Sequence, residues 1–88
     1  NIHGGPAGAF GESFIGAASL YPIATFAAKG WVTLQPNPRG STGYGLPFRA
    51  ANINDWGGGD YGDIMAGVDY LIAQGVVDEN RMAVMGWS

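Results

Sequence analysis

Met82-Ala83-Val84-Met85-Gly86-Trp87-Ser88 is the stretch on which the reading of this chain turns. Its first four residues are a short, continuous apolar run, the pattern of a strand buried on both faces of a parallel sheet. Gly86-Trp87-Ser88 is the front half of a Gly-x-Ser-x-Gly nucleophile elbow. Such an elbow is a sharp strand-to-helix turn that lifts a serine hydroxyl out of the sheet. Gly86 fits because a side chain there would clash with the turn, and the closing glycine would follow Ser88. Gly-x-Ser recurs by chance, so the remainder of the chain has to support the reading.

Upstream of this stretch the pattern alternates between helix and strand. Asp60 is placed to cap a helix over 63–74, with Ile64, Met65, Val68, Leu71 and Ile72 as its buried stripe, Asp63 and Asp69 off it, and Gly75 as its stop. Residues 36–59 form a long connection with one helical turn over 46–51. Residues 31–35 read as a strand ended by Pro36 and Pro38. Ser19 is a suitable N-cap for a helix over 20–29 that buries Leu20, Ile23, Ala24 and Ala27, turns Lys29 outward, carries Pro22 in its first turn and stops at Gly30. Residues 1–18 are loop-like. Helices alternating with strands predict an α/β architecture.

A tetrahedral intermediate needs donors aimed at its oxyanion. In hydrolases built on a nucleophile elbow, one is the N–H after the serine, and another comes from a loop earlier in the chain. His3-Gly4-Gly5-Pro6 has the composition for that loop, since glycines let backbone approach a substrate closely. Asn37-Pro38-Arg39-Gly40-Ser41-Thr42-Gly43-Tyr44-Gly45 is a rigid turn whose arginine can pin carboxylates or carbonyls.

The order of His3-Gly4-Gly5-Pro6, the segment from Asn37 to Gly45, Asp55-Trp56-Gly57-Gly58 with Asp60 and Asp63, Asp78-x-x-Arg81, and Gly86-Trp87-Ser88 resembles the prolyl oligopeptidase family of serine peptidases. The acylaminoacyl-peptidase and dipeptidyl-peptidase branch is nearest in character. The motifs run over nearly the whole chain, and their order and gaps carry the likeness. The resemblance implies an α/β-hydrolase fold, a parallel sheet with helices on both faces, in which the strand ending near Ile2 lies between 31–35 and 82–85. It implies Ser88 as nucleophile and Gly5 as an oxyanion donor through its N–H, with Gly4 beside it. His3 would orient the loop or touch the oxyanion, because some relatives carry a tyrosine there. Arg39, Tyr44, Asp55, Asp78 and Arg81 would be structural members of the motifs. The charge-relay Asp and base His of the family follow the serine, and a substrate-gating β-propeller precedes this region. Residues 1–88 are therefore expected to be a partial catalytic domain, inactive and unstable by itself. The parent would hydrolyse short peptides through an acyl-enzyme, with a carboxylesterase of the same fold as the alternative.

Other readings of single residues fare worse. His3 as the catalytic base would precede the serine, an order that belongs to β-barrel proteases. One histidine with scattered carboxylates does not supply a metal site. Gly57-x-Gly59-x-x-Gly62 fits a dinucleotide fingerprint in letters, but no buried strand precedes it. Asp60 and Asp63 are expected to satisfy N–H groups at a helix start rather than to act as an acid–base pair. Asp55 and Arg39 are expected to be structural partners. Trp31, Trp56 and Trp87 are read as core or pocket wall, with Trp87 nearest the substrate.

Composition sets the outer bounds. A length of 88 residues allows at most one small domain. With 47% hydrophobic and 12% charged residues, the composition argues against disorder. Sixteen glycines without a three-residue period mark a turn-rich protein rather than a collagen. Four scattered basic residues in a net charge of −3 offer nothing to nucleic acid or to an anionic membrane surface. No apolar run is long enough for a membrane span and no leader is visible, which leaves the compartment, cytoplasmic or periplasmic, open. The chain has no cysteine, hence no disulfide. No cofactor is expected.

Overall fold

Proline and glycine set most of the helix boundaries. The computed structural model describes residues 1–16 and 18–88; Ala17, in the loop read over 1–18, lies outside the described residues. Helix α1 is Ile23–Ala28, α2 is Leu46–Ala50 and α3 is Gly59–Ala73. α1 starts later than its periodicity predicts. A residue before proline is pushed out of the helical region, so Tyr21 cannot be helical and Pro22 becomes the N-cap. Ser19 therefore closes a turn rather than capping a helix, its Oγ accepting from the Tyr21 N–H at 3.2 Å. Leu20 falls outside α1 and is exposed, and Ala27 is exposed as well. Gly30, at φ +84°, is the expected stop.

α3 starts four residues earlier than the apolar pattern suggests. Carboxylates satisfy the backbone around its glycine-rich first turn: Asp60 accepts from Gly57 and Tyr61 N–H, both at 2.8 Å, and Asp55 accepts from Gly59 N–H at 2.9 Å. These bonds outweigh the poor helix propensity of Gly59 and Gly62. The predicted stripe is the covered one, with Ile64, Met65, Val68, Leu71 and Ile72 all half-buried while Asp69 faces solvent. On this face Gly67 lies close to Leu34, whose Cδ2 would be 3.2 Å from an added Cβ.

The expected strands over 31–35 and 82–85 are not formed as such; among the described residues the only strand pairing is a single parallel bridge between Ile2 and Gly86. The Asn1 amino group donates to Leu34 O at 2.9 Å, and Ile2 N–H donates to Met85 O at 2.8 Å. Residues 1–2 thus lie between the two segments, the order expected of them. Among the described residues one bridge and these two bonds are the links, and they do not make a ladder. The run at 82–85 is accordingly not buried on both faces, with Met82 and Val84 exposed.

The interior is polar and small. No large apolar side chain among the described residues is fully buried, and the buried side chains are Ser41 and Asn52. They flank the buried Gly40. Trp31 and Trp56, read as core or pocket wall, are exposed. Trp31 keeps one edge-to-face contact with Phe26, at 6.5 Å between centroids.

Candidate active site

Two features make the junction between the first residues and the last. Gly86 follows the apolar run and sits on the backbone of Ile2, where a Cβ would lie 2.9 Å from Ile2 O. This close approach, rather than a clash inside the turn, is what requires glycine. Ser88 has φ +68°, a left-handed conformation that an L-residue adopts at a cost of about 1–2 kcal/mol.

The glycine loop sits directly against this turn. A Cβ on Gly4 would fall 2.7 Å from Trp87 O and 2.8 Å from Ser88 Cβ, so only glycine allows the contact. Gly5 is at φ +137°, and a Cβ there would collide with the backbone nitrogens of Ala7 and Gly8. Its own N–H donates to no group among the described residues.

His3 anchors the loop from the other end. Its Nδ1 lies 2.9 Å from Gly4 O and its Nε2 lies 2.9 Å from Ser41 Oγ. A carbonyl only accepts, so Nδ1 carries the proton, and in the neutral ring Nε2 accepts from the buried Ser41 hydroxyl. Both ring nitrogens are engaged within the protein. Of the two roles open to His3, this geometry favours orienting the loop.

The second motif braces the first. Asn37 grips Phe10 twice, Oδ1 accepting from its N–H at 2.7 Å and Nδ2 donating to its carbonyl at 2.9 Å; Nδ2 also donates to the Tyr44 hydroxyl. Tyr44 packs on Phe48 of α2 with 5.0 Å between ring centroids. Thr42 N–H donates to Gly8 O at 3.0 Å. Gly40, at φ +98°, lies so close to Asn52 that any Cβ would overlap the amide.

Arg39 ties this turn to α3, but not through Asp55. Its Nε and Nη2 each donate to Asp63 at 2.8 Å, and its backbone N–H adds a third bond at 2.9 Å. Asp55 is instead occupied at the start of α3. The Arg39 guanidinium, chiefly by hydrogen bonding, holds the Asp63 carboxyl below the usual carboxylate range. Asp60 does serve N–H groups at the helix start as expected, whereas Asp63 serves Arg39. The Gly57, Gly59 and Tyr61 N–H groups within the literal dinucleotide fingerprint already donate to Asp55 and Asp60.

Asp78 closes a local turn: its Oδ1 accepts from Asn80 N–H and its carbonyl from Arg81 N–H. Arg81 and Trp87 have exposed side chains. Two open grooves of about 400 and 310 Å³ lie away from Ser88, the first along α1 and Gln35, the second between Pro6 and α2. Among the described residues no helix is long and apolar enough to cross a membrane.

Sequence reasoning did not single out Asn37, Ser41 or Asn52 as individual residues. The first two stand inside a motif already noticed, so their polarity within a proline-glycine turn was the available signal. Asn52 had none, because its role depends on a contact with Gly40 across a turn.

Comparison with known sequences bears on the same residues. The family model described as "Prolyl oligopeptidase family" matches residues 18–88. The "Uncharacterized peptidase YuxL" of Bacillus subtilis is 40% identical over 100% of this chain and 13% of its own length. The "Dipeptidyl-peptidase 5" of Schizosaccharomyces pombe is 38% identical over 99% of this chain and 12% of its own length. A "Probable dipeptidyl-peptidase 5" of Emericella nidulans is 43% identical over 80% of this chain and 9% of its own length. No solved structure matches. The relatives fall in one class, the peptidases. The chain belongs to the prolyl oligopeptidase family, and membership implies an α/β-hydrolase fold. It spans about an eighth or less of these relatives.

Proposed function

We propose that residues 1–88 are the part of a serine-peptidase catalytic domain that carries the oxyanion loop and the nucleophile. The observation that supports this most is the seating of Gly4 against Trp87 and Ser88. It sets a backbone loop with an unengaged Gly5 N–H beside a serine held at positive φ.

In the proposed reaction, Ser88 Oγ attacks a peptide carbonyl and loses its proton to a base supplied later in the full-length protein. The carbonyl oxygen becomes an oxyanion bound by Gly5 N–H and by the N–H of the residue after Ser88. Collapse expels the amine, which takes up the proton held by the base, and leaves an acyl-enzyme, which water hydrolyses with the same base. His3 and Ser41 keep the loop in place, and Trp87 borders the substrate. The family's Asp and His, and an upstream propeller that screens substrates, belong to the remainder of the protein. The relatives named dipeptidyl-peptidase support short peptides as substrates.

The test is hydrolysis by the full-length protein of dipeptidyl and acylaminoacyl p-nitroanilides beside p-nitrophenyl esters. Anilides are expected to be cleaved, and Ser88→Ala is expected to lower turnover on the order of 10⁶-fold. Anilide cleavage that survives Ser88→Ala contradicts the mechanism. Turnover of esters alone would move the protein to the acyl hydrolases.

A further inference from the structure

Tyr21 takes no part in the reaction above, yet it reaches the candidate site from far along the chain. Its hydroxyl donates to Trp87 O at 3.1 Å across 66 residues of sequence. Its ring meets Phe10 edge-to-face at 5.6 Å, and Phe10 meets His3 in the same way at 5.3 Å. Phe10 is itself clamped on both backbone groups by Asn37. The phenol therefore has its ring anchored on the glycine loop and its hydroxyl on the Ser88 turn.

The group it holds matters. Trp87 O belongs to the peptide about which φ of Ser88 is defined, and that φ is +68°. The same carbonyl lies against Gly4. If the Trp87–Ser88 peptide rotates, Ser88 can relax toward negative φ, and its Cβ leaves its seat against Gly4. A hydrogen bond to the carbonyl opposes that rotation. Pro22 assists by barring Tyr21 from α1, which leaves the residue in a turn outside the helix.

We propose that Tyr21 is a positioning residue for Ser88, acting through the Trp87 carbonyl and coupling the oxyanion loop to the nucleophile turn. The proposal rests on the serine-peptidase reading above. Tyr21 touches no substrate in this role, so its loss slows chemistry without weakening binding.

The experiment compares the full-length protein with Tyr21→Phe, which keeps the ring on Phe10 and removes only the hydroxyl. Fluorophosphonate labelling rate at Ser88, kcat, KM and Tm are measured for both. The expected result is a fall in labelling rate and kcat on the order of 3- to 10-fold, the worth of one hydrogen bond, with KM unchanged. Equal labelling and equal kcat in the variant overturn the proposal, whether or not Tm drops, because a purely structural tether would move Tm alone. A raised KM at constant kcat overturns it in favour of a substrate contact. If the wild-type protein is not labelled at Ser88, the serine-peptidase reading fails first and this inference falls with it.

Discussion

In the proposed reaction, Gly5 and His3 divide the work of the loop at the scale of single residues. Gly5 has a backbone that no other residue tolerates: φ is +137° and a Cβ would strike Ala7 and Gly8. Gly5→Ala in the full-length protein is therefore expected to displace the donor and lower kcat by roughly 10²-fold; a folded variant with wild-type kcat would remove Gly5 from the mechanism. His3 acts through both ring nitrogens on Gly4 and Ser41. Ser41→Ala should therefore slow turnover as His3→Ala does, and the double variant should be no slower than the worse single one. Steady-state kinetics on the three variants checks this, and additive losses would show separate roles. The residues to which the proposed reaction assigns chemistry were singled out by motif order. The partner of Arg39 was not: Asp55 and Asp63 both lie within reach on the sequence, and only the helical start at Gly59 turns Asp63 toward the guanidinium while engaging Asp55 elsewhere.

The elements hold together through turns more than through packed faces. Gly40 sits in one of these turns, at φ +98° and in contact with the buried Asn52. Gly40→Ala is expected to destabilise the full-length protein by about 2 kcal/mol or more, from left-handed strain and overpacking together; urea denaturation with an unchanged midpoint would contradict this. The Arg39–Asp63 pair joins the same turn to α3 with side chains 40% and 31% exposed. Because Asp63 has its carboxyl pKa lowered in the folded state, its contribution is fully present above the unfolded value of about 3.9 and is lost as pH falls through the folded value. The Tm difference between wild type and Asp63→Asn should accordingly be flat above about pH 4 and shrink below it, and a difference that grows on acidification would reverse the assignment. Helix existence was legible from period and stop signals, while boundaries moved wherever Pro22 or the Asp55 and Asp60 carboxylates overrode propensity. The strands at 31–35 and 82–85 were read from apolar runs, but a ladder depends on a partner's length, which a run does not report.

Across the whole molecule, exposure is the dominant fact. The accessible surface is 6110 Å², whereas a compact monomer of 9.1 kDa has about 4,900 Å². The radius of gyration is 13.6 Å, against about 12 Å for a compact chain of this length. Phe14, Leu46 and Val84 are each more than three-quarters exposed, and the side-chain amide of Asn1 and Nε2 of Gln35 are buried without a partner among the described residues. Unpaired buried groups cost about 1–3 kcal/mol each, a large share of the roughly 5–15 kcal/mol that stabilises a whole domain. The isolated 88-residue polypeptide is thus expected to show no cooperative melting and to associate in solution; a soluble monomer with a sharp thermal transition by circular dichroism and ultracentrifugation would contradict that. Yet the two ends of the chain meet in one place, where Ile2 bonds to Met85 and Gly4 lies against Trp87 and Ser88. Mass-spectrometric mapping of the fluorophosphonate adduct on the full-length protein tests that meeting point most directly: one adduct on Ser88, lost in Ser88→Ala, is the result expected of a nucleophile at the glycine loop, and an adduct on another residue, or labelling undiminished in Ser88→Ala, would contradict it.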